Sequence, residues 1–173
     1  MITPDQKFIW SPGDVIDAAG GWLVHGKESG HFDAIIIDSR NILPGTLFVA
    51  IVGEKLDGHD YIPDAIAKAA RGVVAAEHWF KERAPDPRLM GDTIFFAVAD
   101  TTHALGDLAA YQRRLLPAKV VAITGSNGKT TTRRMTAAVM DAAFPTLSTS
   151  GNLNNHIGLP LTLFNLQPHH PWA

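Results

Sequence analysis

The sequence predicts an α/β fold with mainly parallel strand pairing: a small N-terminal α/β domain followed by a shorter parallel-sheet domain built on a phosphate-binding loop (P-loop). Three observations lead there. Short runs rich in Ile and Val alternate with amphipathic stretches along most of the chain, the pattern of βαβ units. A strand, a tight glycine turn and a Lys-Thr helix start follow one another over residues 119–143. The 173 residues are 46% hydrophobic and 18% charged, enough to bury a core and outside the regime of disordered chains.

In chain order, Ser11-Pro12-Gly13-Asp14 starts a helix, with Ser as cap, Pro in the first turn and an acid three residues after the cap. Gly20-Gly21 stops it. Ala34 to Ile37 and Leu47 to Val52 read as buried strands bounded by turn residues, with a polar loop from Asp38 to Gly45 between them. A second loop, Gly53 to Asp60, leads into a helix whose apolar face is Ile62, Ala65, Ile66 and Ala69, with Asp60 as its expected cap. Gly72 ends that helix and Val73 to Ala76 is the next strand. Lys81 to Asp92, dense in charge and carrying Pro85 and Pro87, reads as a solvated loop. Ile94 to Ala99 is a strand, and Thr101 or Thr102 caps a helix with the stripe Ala104, Leu108, Tyr111 and Leu115.

The domains are accordingly read as 1–99 and 100–173. In the second, Lys119 to Ile123 is expected as a buried strand and Thr124 to Gly128 as a turn. Lys129 to Ala143 is expected as a helix with Met135, Ala138, Val139 and Ala142 facing inward.

Several function classes are excluded. A net charge of −2 and a pI near 6.4 give no global field for capturing nucleic acid. Without cysteine there is no disulfide, thiolate metal site or cysteine nucleophile. The N-terminal stretch, with Asp5, Asp14 and Asp17, lacks the order of a secretion signal. No uncharged apolar run reaches the roughly 18 residues that a membrane span requires. A cytoplasmic protein is expected. The eight histidines show no HExxH spacing, and His169-His170 reads as an exposed tail.

The chemistry concentrates at Val120 to Thr132. Gly125 and Gly128 let the main chain bend so that successive N–H groups point inward, and the helix N-terminus adds partial positive charge. Lys129 would reach the β- and γ-phosphates of ATP and the Thr130 hydroxyl would sit on Mg²⁺. The spacing is compressed: the glycine usual five residues before Gly128 is Ile123, and Gly125 lies three before it. The competing reading is a glycine turn joining two packed elements, with an exposed Lys.

Thr124-Gly125-Ser126-Asn127-Gly128-Lys129-Thr130-Thr131 resembles the ATP loop of the Mur ligases. Ser150-Gly151-Asn152-Leu153-Asn154-Asn155-His156-Ile157-Gly158 resembles the segment that follows it in the branch joining D-alanyl-D-alanine to UDP-N-acetylmuramoyl-tripeptide. Asp38-Ser39-Arg40, Pro44 to Ala50, Gly53-Glu54 and Asp57-Gly58-His59-Asp60 are similar, in the same order, to that family's uridine-binding domain. The resemblance implies an ATP-dependent amide ligase of peptidoglycan synthesis, which phosphorylates a substrate carboxylate and lets an amine attack the acyl phosphate. It implies that Gly125, Ser126, Asn127, Gly128, Lys129, Thr130 and Thr131 hold ATP. Lys129 and Thr130 would be catalytic, with Thr130 on the metal. It further implies that Ser39, Arg40, Gly53, Asp57, Gly58 and His59 face the UDP-sugar, and that Asn154 and Asn155 lie where nucleotide and acceptor meet.

Blander readings stand beside these. Ser39-Arg40 also suits a turn after a strand, Asp57-Gly58-His59 a turn with a cap, and Asn154-Asn155 the satisfaction of backbone groups before a helix over 157–164. Arg133-Arg134 reads as part of a solvated helix face. The family's full enzyme is far longer, so the second domain is expected to be a truncated P-loop domain that exposes apolar surface, self-associates and does not complete ligation alone. Another Mur-type amide ligase, which Asn152 to Asn155 disfavours, and a non-catalytic nucleotide or UDP-sugar-binding module are the alternatives.

Overall fold

Apolar runs without polar alternation must be covered on both faces, and three strands of the structure meet that demand in full. The computed structural model describes residues 7–83, 87–151 and 153–173. They fall into two units, Ile9–Leu108, and Ala109–Ala173 with Phe8.

The first unit is a five-stranded sheet in the order β1-β5-β4-β3-β2. Its strands are β1 (Trp22–His25), β2 (Ala34–Ile36), β3 (Thr46–Val49), β4 (Gly72–Ala76) and β5 (Ile94–Val98). Strands β2 to β5 pair in parallel, and β1 runs antiparallel to β5 at the edge. Every residue of β3, β4 and β5 is buried. Phe48, Val73 and Phe95 stand in one cross-strand row and pack with Ile62, Ala65 and Trp79 on one face. Val74 and Phe96 point to the other face, where the Phe96 ring meets Phe32 edge-on at 6.0 Å. Gly72 is required there, because a Cβ would lie 2.6 Å from the Phe32 ring and 2.8 Å from Leu47.

Helices α1 (Pro12–Ala19), α2 (Ile62–Ala67), α3 (Glu77–Arg83) and α4 (Pro87–Met90) complete this unit, with the first half of α5 (Thr101–Leu115). The Ser11 cap of α1 forms the expected reciprocal box with Asp14, and Gly20 ends the helix in the left-handed conformation.

Four expectations change. The strand β1 was not anticipated: four residues between glycines, with Trp22 and Val24 exposed, carry little periodic signal. The stretch 81–92 is not a plain loop, since α3 and α4 enter it and Trp79 and Met90 are buried in the core; residues 84–86 lie outside the described residues. The cap of α5 is Asp100, which accepts from the amides of Thr102 and His103, in place of Thr101 or Thr102. Asp60 sits inside a 3₁₀ turn, Gly58–Tyr61, that Asp57 caps, and α2 begins only after Tyr61.

The second unit contains α6 (Lys129–Asp141) and α7 (Gly158–Leu163). Lys119 to Ile123 is not a buried strand. Lys119 and Val121 share backbone hydrogen bonds with Pro171 and Ala173 around an isolated bridge from Lys119 to Trp172, and Val120 and Val121 are exposed. Trp172 also bridges Thr146, so residues 171–173 pair on two sides. The end of the chain is therefore engaged, and His170 is half-buried, accepting from the Gln167 amide at 3.0 Å.

The inward face of α6 also differs from expectation. Met135 and Val139 are 66% and 73% exposed, and Ala138 and Ala142 are exposed too. The half-buried positions are Arg133, Thr136, Ala137 and Met140, at i, i+3, i+4 and i+7. Both stripes have helical spacing, and packing rather than periodicity chose between them. Among the described residues no helix is long and apolar enough to cross a membrane.

Candidate functional site

Parallel strands send their outgoing connections from the same end, where ligands of open α/β sheets are bound. The loop after β2 carries Ser39 and Arg40; the loop after β3 carries Gly53, Asp57, Gly58 and His59. The two strands are neighbours, so these candidates share one end of the first unit.

Asp38 organises the first loop. Its carboxylate accepts from the Arg40 amide at 3.0 Å and from the guanidinium at 2.9, 3.1 and 2.7 Å. The side-chain bonds from Arg40 hold the Asp38 carboxyl down at about 2, and the same contact raises Arg40. Ser39 is buried, and its carbonyl accepts from Lys68 Nζ at 2.8 Å.

Asp57 and His59 form a clasp in the second loop. The Ala76 amide donates to His59 Nε2 at 3.0 Å, so that nitrogen carries a lone pair; Nδ1 holds the hydrogen and donates to Asp57 Oδ1 at 2.6 Å. Burial pushes the Asp57 carboxyl up, but hydrogen bonds from the His59 backbone and ring outweigh it, and the net shift is downward. His59 is 2% exposed with both nitrogens engaged. It binds the loop to the end of β4 and does not face solvent. Gly58 packs against Ile51, where a Cβ would come within 2.6 Å of the amide nitrogen. Gly53 is exposed, and its amide donates to Leu56 O at 2.9 Å.

In the second unit, Gly125 and Gly128 both take positive φ, 148° and 79°, and the chain turns directly into α6. No side chain caps that helix, and the Thr132 amide is bonded to Gly128 O at 2.9 Å. The first-turn amides are thus left to an outside acceptor or water. Lys129 folds back, donating from Nζ to Gly125 O at 2.6 Å. Ser126, Asn127, Thr130 and Thr131 are exposed around it. Lys129 and Thr130 line a cleft of about 430 Å³, as do Arg133, Gly151 and Asn154.

Asn155 and Asn154 separate in role. Asn155 Oδ1 accepts from the amides of Ile157 at 3.2 Å and Gly158 at 2.7 Å, so it holds the start of α7. Asn154 is exposed and lines the cleft. Asn152 lies outside the described residues. Sequence reasoning did not single out Lys68 or the binding of Arg40 by Asp38; an Asp-x-Arg spacing at a turn is the signal for the latter. Arg133, assigned to the solvated face, instead donates to Gly151 O at 3.2 Å.

The chain matches the model of the Mur ligase family catalytic domain over residues 31–113 and that of the Mur ligase middle domain over residues 123–171. It is 43% identical over 141 residues to the UDP-N-acetylmuramoyl-tripeptide–D-alanyl-D-alanine ligase of Escherichia coli, covering 82% of this chain and 29% of that protein. A crystal structure of MurF from Acinetobacter baumannii superposes with a TM-score of 0.83 at 32% identity, over 96% of this chain and 35% of the other. The MurF ligase of Thermotoga maritima in complex with ADP gives 0.68 at 28% identity, over 80% of this chain and 30% of the other. The chain therefore spans about a third or less of the length of these relatives.

Two measurements check the first unit. In Arg40→Ala, a carboxyl NMR titration should show Asp38 rising from about 2 toward 3.8. Because the folded value lies below the unfolded one, the pair stabilises the fold above pH 3.8 and the contribution fades as pH falls toward 2. An unmoved Asp38 would refute the pairing. His59→Leu strands the Ala76 amide and should cost about 1–3 kcal/mol in urea unfolding.

Proposed function

Since this chain belongs to the Mur ligase family, we propose that it forms part of an ATP-dependent ligase that adds D-alanyl-D-alanine to UDP-N-acetylmuramoyl-tripeptide in peptidoglycan precursor synthesis. The observation that carries the reading is the glycine loop closed by Lys129 at an uncapped helix start. It is supported by the 43% identity to a ligase of that name and by the likeness to a MurF structure bound to ADP.

In this reading residues 100–173 are the beginning of a P-loop domain and residues 1–99 a UDP-sugar-binding domain. The amides of Gly125 to Thr131 and the first turn of α6 receive the phosphates of ATP. Lys129 exchanges Gly125 O for a β- or γ-phosphate oxygen and offsets the repulsion between two anionic reactants. A substrate carboxylate takes the γ-phosphoryl group, ADP leaves, and the amine of D-alanyl-D-alanine then attacks the acyl carbon and expels phosphate. Asn154 stands where nucleotide and acceptor meet, with Asn155 holding its loop.

Mg²⁺ fits through Thr130 alone. Mg²⁺ keeps several waters and is commonly held by one or two protein groups plus substrate phosphates, a mode that the Thr130 hydroxyl suits. Bound there, it would supply charge neutralisation at the transferred phosphoryl group.

Ser39 and Arg40, with Gly53, Asp57 and Gly58, take the UDP-sugar, and His59 acts by fixing their loop. Arg40, half-engaged by Asp38, presents a pre-oriented fork to a phosphate or a uracil carbonyl. A reaction that consumes ATP and a nucleotide-sugar precursor places the protein in the cytoplasm. The exposed Met135 and Val139 face supports self-association of this chain.

Calorimetry of the chain with Mg·ATP and with UDP-N-acetylmuramoyl-tripeptide tests the reading. Both should bind; the UDP-sugar alone would favour a binding module, and neither would sink the proposal. Lys129→Ala removes a charge-assisted bond of about 1.5–3 kcal/mol and should weaken Mg·ATP by roughly 10- to 100-fold. Light scattering should show concentration-dependent association that Val139→Lys reduces; a clean monomer at all concentrations refutes it.

A further inference from the structure

We propose that Arg133 is a positioning residue that holds Gly151 and thereby keeps Asn154 on the wall of the cleft that Lys129 and Thr130 also line, an inference that rests on the ATP-site reading above. Arg133 lies one helical turn after Lys129, on the inward stripe of α6 with Thr136, Ala137 and Met140. From there its guanidinium donates to Gly151 O at 3.2 Å. Gly151 has φ of 54°, a left-handed conformation that glycine adopts without steric cost.

The far end of the same loop is pinned independently. Asn155 Oδ1 takes the Ile157 and Gly158 amides, and Gly158 lies so close to Leu153 that a Cβ would come within 2.5 Å of its Cα. With Gly151 held by Arg133 and Asn155 held at the start of α7, Asn154 lies on the cleft wall with Lys129 and Thr130. Among the described residues lining the cleft none is Asp or Glu. Arg134, next in sequence, is exposed.

The test combines backbone NMR and nucleotide binding on the whole chain. Without nucleotide, Arg133→Met should shift the amide resonances of Gly151, Leu153, Asn154 and Asn155 and lower their order parameters, while Arg134→Met leaves them unchanged. Arg133→Lys, which keeps a donor on a long stem, should restore most of the wild-type pattern. With Mg·ATP, Arg133→Met and Asn154→Ala should each weaken binding by about 3- to 10-fold, and the double variant should be no weaker than Asn154→Ala alone, as coupled positions require. Independent, multiplying losses would overturn the proposal, as would an unperturbed loop in Arg133→Met. Should the wild-type chain fail to bind Mg·ATP while Arg133→Met still loosens the loop, the clamp stands and the nucleotide reading is what falls.

Discussion

The parallel pairing of β2 through β5 is the constraint from which the first unit follows. Parallel strands cannot be joined by tight hairpins, so each connection must cross a face of the sheet and return. The crossing segments supply the cover that lets β3, β4 and β5 be buried on both sides, with Ile62, Ala65 and Trp79 reaching one face. The same directionality collects the loops after β2 and β3 at one end. His59 adds a link that pairing alone does not supply: it fastens the loop after β3 to the Ala76 amide, at the last residue of β4.

Polar residues in the site motifs divide into those consumed by the fold and those left outward. Asp38 is engaged by Arg40, His59 by Asp57 and Ala76, and Asn155 by the start of α7. Asn154, Lys129 and Thr130 remain at the cleft. Such pairing has a physical reason. A loop that must meet an anionic ligand in one geometry loses less entropy on binding if its main chain is already tied down, and a side chain buried in that task is unavailable for direct contact. Dense polar motifs therefore contain both kinds of residue, and type alone does not separate them.

The separation also marks how much of the molecule was legible in the sequence. Strands at 46–49, 72–76 and 94–98 were readable because burial on both faces leaves uninterrupted apolar runs between turn residues, and the half-buried strand at 34–36 because its apolar run is bounded in the same way. The start of α6 at Lys129 and the Ser11 cap were readable because glycine and cap chemistry act within a few residues. What failed depends on distant partners. The strand β1 exists through its pairing with β5, some 70 residues away in the chain, and α3 is held by Trp79 in a core that local charge density conceals. On α6 two stripes satisfy helical spacing, and packing in the folded unit puts Arg133 and Met140, not Met135 and Val139, on the cleft side. The burial of His59 belongs to the same class, since its acceptor role is set by Ala76, 17 residues on.

The bond from Lys129 to Gly125 O closes the glycine loop, and in the proposed reading it must give way to a phosphate. At 2.6 Å it is a charge-assisted contact that closes the turn between two glycines of positive φ. A phosphate oxygen competes for the same ammonium with a full negative charge, so the exchange replaces a dipolar acceptor by an ionic one. The released carbonyl decides whether the exchange is favourable. Were Gly125 buried, losing its donor would strand an acceptor at a cost of about 1–3 kcal/mol, much of what the phosphate contact supplies. Gly125 is exposed, so water replaces the ammonium at once and that cost does not arise. Exposure of the loop, which by itself reads as a sign of weak structure, is what the proposed exchange of Gly125 O for a phosphate oxygen at Lys129 requires.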